Sequence, residues 1–226
     1  MIDLKQIGEG PDQGPGWRVL TTTRWPPSAP PQAVDAWFPE LAVPPSLSTG
    51  TPLPAGLERW RARLRDPIAA QAVRRIAEAA LHSNVTLLVE ASDAWAQELA
   101  REIGQEGLRL VADSLLRMTW HFQRILFRGL DGRTWHWPED ADDDGLASAA
   151  GLAILRRKLF ETGAGEQESG VCFLTAGRLF AAPVLAGSEV RGALAVASLQ
   201  IGPMRAEERE AVAAAATRCL PFALVL

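Results

Sequence analysis

Apolar and polar positions along this chain follow two periods, one helical and one extended. In residues 55–82, Leu57, Trp60 and Leu64, then Ile68, Val73, Ile76 and Ala80, recur at three- and four-residue spacing, which predicts two helices. Asp66-Pro67 separates them as a cap followed by proline at the first helical position, where a missing N–H breaks no helical hydrogen bond. The compact run NVTLLVE, residues 84–90, predicts a strand. Residues 94–119 predict a long helix that breaks near Gly104 or Gly107.

The period then shortens. Residues 120–137, WHFQRILFRGLDGRTWHW, predict a hairpin, and pairing across Asp131-Gly132 sets Arg128 beside Trp135 as a cation–π pair. A helix closed by Gly163 follows, and residues 171–198 predict three short strands with turns at Ala176-Gly177 and Gly187-Ser188. The last two, in FAAPVLAGSEVRGALAVAS, are apolar at nearly every position, as central strands covered on both faces would be. Gly192 there permits close approach of a neighbouring backbone. The C-terminal helix opens with Arg and two Glu; Pro221 interrupts it, so residues 222–226 are expected to run extended.

The N-terminal segment differs in kind. Eleven of the 16 prolines lie before residue 55, in runs such as WPPSAPPQ that suit neither helix nor sheet interior, and only WRVLTTTRW, residues 17–25, has the composition of a strand. Trp17, Trp25, Trp37 and Phe38 are unusual in a linker, and they are expected to dock this segment on the globular part or on a partner protein. The chain thus divides into a Pro/Trp-rich extended segment (1–54), a helical and strand connector (55–93) and a domain (94–226).

From residue 94 the order is helix, two strands, helix, three strands, helix. With Ala182-Pro183-Val184, Gly187-Ser188, Gly192-Ala193-Leu194-Ala195-Val196, the Glu207-Glu208 helix start and a Glu-Thr-Gly elbow at 161–163, this resembles a GAF domain over about residues 95–226. The resemblance implies an α+β fold, an antiparallel sheet flanked by helices, and a sensor module. It also implies a homodimer or stable hetero-complex whose seam is the 94–119 helix and the terminal helix, with Val212, Ala216 and Phe222. The family's cyclic-nucleotide and bilin sets are not matched: Cys172 precedes Phe173, and Ser198 precedes LQIGPM, so the cofactor stays unknown and a small ligand stays open. Residues 76–103 resemble the helix, strand and P-loop of AAA+ enhancer-binding activators, by decayed ancestry or by coincidence. The loop EASDAWAQ lacks the glycines and lysine that hold phosphates, so no nucleotide hydrolysis is expected.

Composition narrows the partners. With 23 Lys and Arg interspersed among 27 Asp and Glu, and a formal charge of −4, there is no basic stripe for nucleic acid. No run is long and apolar enough to span a membrane, and the start MIDLKQIGEG has no leader pattern, which together read as cytoplasmic. Cys172 and Cys219 are expected to be reduced core residues. Asp140, Asp142, Asp144 and Gly145 reproduce half of a calcium loop, but Gly151 replaces the bidentate Glu, and an acidic solvated loop is expected instead. His82, His121 and His136 are read as structural, and no nucleophile–base motif is present. These readings together describe a non-enzymatic GAF-like regulatory protein acting through protein partners. The alternatives are a ligand-free scaffold and a degenerate nucleotide-binding regulator.

Overall fold

The structure is a computed structural model. It describes residues 1–8, 16–48, 52–90, 93–119, 122–138, 144–163, 167–168, 171–172, 178–198, 204–223 and 225. The chain divides into two compact units, Met1–Gly107 and Leu108–Leu224.

In the first unit, β1 (Ile2–Gln6), β2 (Trp17–Leu20) and β3 (Ala36–Trp37) come from the Pro-rich segment, which also forms single helical turns at Pro31–Ala33 and Pro39–Leu41. After the short α1 (Pro45–Ser48) come α2 (Leu53–Leu64), α3 (Pro67–Ala80), β4 (Val85–Val89) and α4 (Ala94–Met118). The four strands form a parallel sheet of order β1-β4-β2-β3, with Val85 opposite both Ile2 and Trp17. The strand expected over 84–90 is β4, the one expected over 17–25 ends at Leu20, and neither pairing was legible in the sequence. Val19, Leu20, Val85 and Leu87 have no exposed surface, and Arg18 and Thr86 are the polar residues that interrupt the apolar runs of β2 and β4.

Asp66 occupies the N-cap of α3 and Pro67 its first turn, as expected. The buried face of α3 is Ala69, Ala72, Val73, Ile76 and Ala80; Ile68, placed on that face from sequence, is 72% exposed because the stripe runs one residue out of phase with it. Helix α4 does not break at Gly104 or Gly107. Ile103 and Leu108 beside those glycines are buried at 0% and 1%, and their packing outweighs the roughly 1 kcal/mol that each glycine costs a helix.

The second unit holds the C-terminal part of α4, β5 (Phe122–Gly129), β6 (Thr134–Trp137), α5 (Asp144–Arg156), β7 (Phe160–Gly163), the short β8 (Gln167–Glu168) and β9 (Val171–Cys172), β10 (Arg178–Ala186), β11 (Glu189–Ser198) and α6 (Ala206–Cys219). It is α+β: an antiparallel sheet of order β6-β5-β11-β10-β7 flanked by helices, with β10 and β11 in its interior as expected. On one face Leu126, Leu179, Ala181, Ala193 and Ala195 pack under Leu146, Ala149, Ala150 and Ala153 of α5. The alternate residues Phe127, Phe180, Leu194 and Val196 are equally buried, on the other face, and α6 packs against β10 and β11.

Three local expectations change. Trp135 pairs with Phe127, and Arg128 pairs with Thr134 while its Nη1 donates to the carbonyl of Ala147 at 2.8 Å, so the cation–π pair gives way to a strand-to-helix hydrogen bond. Helix α5 ends at Arg156, with Arg157 at φ 54°, and Gly163 lies in edge strand β7. After α6, Phe222 and Ala223 donate to the carbonyl of Cys219 at 3.0 and 3.1 Å, so the chain turns and does not extend. Cys219 is fully buried, and burial pushes its thiol up to about 12. His121, Asp140, Asp142 and the turn at 176–177 lie outside the described residues.

Gly187, at φ 62°, forms the β10–β11 turn, and a Cβ on Gly192 would lie 2.6 Å from the carbonyl oxygen of Arg128. Gly192→Val is therefore expected to destabilise the second unit by about 2–3 kcal/mol through overpacking between β5 and β11. Urea denaturation followed by circular dichroism measures this; a midpoint equal to that of the unmodified chain would show that the two strands can part without cost.

Candidate functional site

In a parallel sheet all strands end on one side, and the loops that leave there form a crevice where ligands commonly bind. The first unit has such a cleft, about 280 Å³ in volume. Thr21, Thr22 and Thr23 continue β2 into it, Val89 and Glu90 end β4, Leu41 to Val43 follow β3, Trp60 comes from α2, and Asp93, Trp95, Ala96 and Leu99 come from the start of α4.

The threonines are fixed by the backbone. Thr21, 7% exposed, donates its N–H and its hydroxyl to the carbonyl of Leu88 at 3.2 and 3.4 Å, and Thr22, 2% exposed, donates its hydroxyl to the carbonyl of Arg24 at 2.7 Å. Both oxygens retain lone pairs for a further donor. Asp93 Oδ1 accepts the N–H groups of Trp95 and Ala96 at 3.0 and 3.2 Å, which caps α4 and takes two of the donors that a helix N-terminus would offer an anion. Among the described residues no Lys, Arg or His lines the cleft.

Trp60 and Trp95 meet edge to face, with ring centroids 5.6 Å apart and planes at 78°. Trp60 is 1% exposed, yet its Nε1–H has no acceptor among the described residues. An orphan donor of this kind costs about 1–3 kcal/mol, and buried indole N–H groups usually find a partner.

An ion cluster sets the position of both tryptophans by joining α2 to α4. Glu98, 8% exposed, accepts from Arg61 Nε and, at 3.0 Å, from Arg61 Nη2; Arg101 Nη2 donates to it at 2.6 Å. Burial opposes ionisation of Glu98, but the hydrogen bonds from Arg61 and Arg101 outweigh it and hold the carboxyl below the usual range. Burial, reinforced by repulsion from Glu98, raises that of Glu102 one turn on.

The residues singled out from sequence fall in two places. Trp17 and Phe38 stack edge to face at 6.0 Å, and Trp25 and Trp37 at 5.8 Å; Trp25 and Trp37 are 37% and 41% exposed, with Trp37 Nε1 donating to the carbonyl of Thr22 at 2.7 Å. Val212, Ala216 and Phe222 lie in the second unit at 0%, 1% and 0% exposure. Helix α6, which carries Val212 and Ala216, packs against β10 and β11. Thr21, Thr22, Trp60, Glu90 and Trp95 were missed as site residues. The helical period assigned Trp60 to a core face, and only the rule that parallel strands share a functional end would have pointed to the Thr-Thr-Thr run. The loop read as a failed P-loop contributes Glu90 and Asp93; Ser92 lies outside the described residues.

No protein-family model matches the chain, and no curated protein matches it. Solved structures similar to it include a type II free methionine-R-sulfoxide reductase from Thermoplasma acidophilum, 16% identical, covering 55% of this chain and 94% of that one with a TM-score of 0.46. Another is the GAF domain of an Acinetobacter phosphoenolpyruvate-protein phosphotransferase, 14% identical, covering 71% and 95% with a TM-score of 0.42. The GAF domain of a two-component sensor histidine kinase from Bacillus halodurans is 12% identical, covering 49% and 92% with a TM-score of 0.37. The expectation that the chain is not an enzyme is corrected here, because reductases stand among these structures beside sensor domains. Lack of a familiar catalytic motif in sequence was too weak a ground for it.

The ion cluster makes two predictions. Arg61→Met leaves Glu98 with one guanidinium and is expected to destabilise the first unit by about 1.5–3 kcal/mol in urea denaturation. For pH the two carboxyls act in opposite directions. Glu98, lowered on folding, stabilises above the usual carboxylate range and loses that contribution as pH falls through it; Glu102, raised, stabilises at low pH and loses that contribution as pH rises. Glu102→Gln is therefore expected to stabilise the protein at pH 7 and to give no gain under acid; a loss at pH 7 would show that the Glu102 carboxylate is favourably paired.

Proposed function

We propose that this chain is a regulatory protein that binds a small molecule in the cleft of its first unit and acts on a protein partner. The observation that carries the reading is the cleft itself, at the end of the parallel sheet where Thr21, Thr22, Glu90 and Trp95 converge. Helix α4 supports the regulatory part, since it gives Trp95, Ala96 and Leu99 to the cleft wall and Leu108, Val111 and Leu115 to the buried residues of the second unit. The exposed Trp25 and Trp37 pair supports the partner part, because two half-exposed indoles held by backbone hydrogen bonds form an ordered apolar patch.

The test is a library of small metabolites screened by melting temperature on the full chain and on Thr23→Phe, which fills the cleft from an exposed position. At least one compound is expected to raise the midpoint by several degrees in the unmodified chain and not in Thr23→Phe. No stabilising compound, or equal stabilisation of the variant, would overturn the reading.

A further inference from the structure

The parallel sheet of the first unit has two unlike edges. On one side β3 is two residues long and runs at once into the proline-led turn at Pro39–Leu41, which leaves little backbone for another strand to pair with. On the other side β1 is five residues long, without proline, glycine or a bulge, and in unbroken register with β4. A straight edge of that kind is a template for a further strand.

The hydrogen bonds fix which groups of β1 point outward. The N–H of Val85 donates to the carbonyl of Met1 at 2.8 Å and that of Ile7 to the carbonyl of Val89 at 2.9 Å, so the odd-numbered residues of β1 bond β4. The backbone groups of Ile2 and Leu4 therefore point to the open edge, and among the described residues they have no partner. Side chains alternate as well: Ile2, Leu4 and Gln6 share one face with Val85, Leu87 and Val89, while Asp3 and Lys5 share the other. Leu4 is half-buried and Asp3 exposed.

We infer that this edge pairs with the same edge of a second copy of the chain, antiparallel and centred on Leu4, which joins two four-stranded sheets into one of eight strands. Charge decides the register. Centred on Asp3, the pairing sets two carboxylates directly opposite; centred on Lys5, it sets two ammonium groups opposite; centred on Ile2 or Gln6, it engages fewer residues. Centred on Leu4, it sets Asp3 of each copy against Lys5 of the other, at the close pairs where Cα atoms stand about 4.5 Å apart, and Leu4 against Leu4 where both exchange backbone hydrogen bonds. The occupant is a second copy because the order of charges along β1 is complementary to its own reverse. The inference is independent of the cleft. A two-fold axis of this kind opens the two clefts at opposite sides of the joint sheet.

Five residues of edge make a small interface, so a dissociation constant on the order of tens of micromolar is expected. Sedimentation equilibrium of the full chain, with no tag residues before Met1, at about 1 to 500 µM is expected to show monomer and dimer in exchange. Asp3→Lys and Lys5→Asp each place like charges opposite in this register, and each alone is expected to weaken the dimer about tenfold or more. Mixed in equal amounts, the two variants carry complementary edges and are expected to associate at least as tightly as the unmodified chain. Leu4→Pro removes an outward N–H while sparing the bonds to β4, and is expected to be monomeric with an unchanged circular dichroism spectrum. Recovery on mixing requires that both charge variants be folded, so the test stands even if Leu4→Pro does not fold. A chain that stays monomeric throughout, a dimer that neither charge variant weakens, or two weakened variants that fail to associate on mixing would each overturn the inference.

Discussion

The first unit depends on β4 being paired along both edges. Each of its residues from Val85 to Leu88 faces a partner in β1 and another in β2, so five residues of chain tie the N-terminus to the segment that follows. Both pairings are parallel. Parallel neighbours cannot be joined by a tight turn, and the chain must return by a crossover before each new strand. The crossover from β3 to β4 is made of α2 and α3, and it brings every strand to its end on the same side. The cleft is a consequence of that rule: Thr21, Val89 and the residues after β3 converge because parallel strands leave them no other place.

The second unit solves a different problem. Its strands are antiparallel, so turns suffice, and the difficulty is to cover both faces of β10 and β11 with helices. Alanines on one face let α5 lie close, and bulkier Phe180, Leu194 and Val196 fill the opposite face. Glu161 on edge strand β7 accepts from the N–H of Met204 at 2.9 Å and from Arg209 at 3.1 Å, which fixes the entry of α6. Glu208, buried at 3%, accepts from the N–H of Arg205 at 2.9 Å and closes the first turn.

How far each unit could be read from sequence follows from these two designs. The β10–β11 hairpin, its turn at Gly187 and the tight spot at Gly192 were legible because they are local: the pairing partner lies a few residues away and the turn residue announces itself. Helices α2 and α3 and strand β4 were legible from period alone. The parallel sheet was not, since nothing in residues 2–6 or 17–20 states that their partner lies at 85–89. The cleft shared that fate: Trp60 and Trp95 are 35 positions apart, and each looks like a core residue of its own helix. The one-residue error that set Arg128 beside Trp135 arose because a turn of two residues and a turn of three read alike until the hydrogen bonds are seen.

The burial of Cys219 turns the second unit into its own stopwatch. Burial raises this thiol far above its usual range, so it is held as the unreactive thiol at neutral pH, and it has no exposed surface. An alkylating reagent reaches it only when α6 lifts away. The speed with which that cysteine is modified, read by peptide mapping in ordinary buffer, therefore counts openings of a structure that is folded nearly all the time.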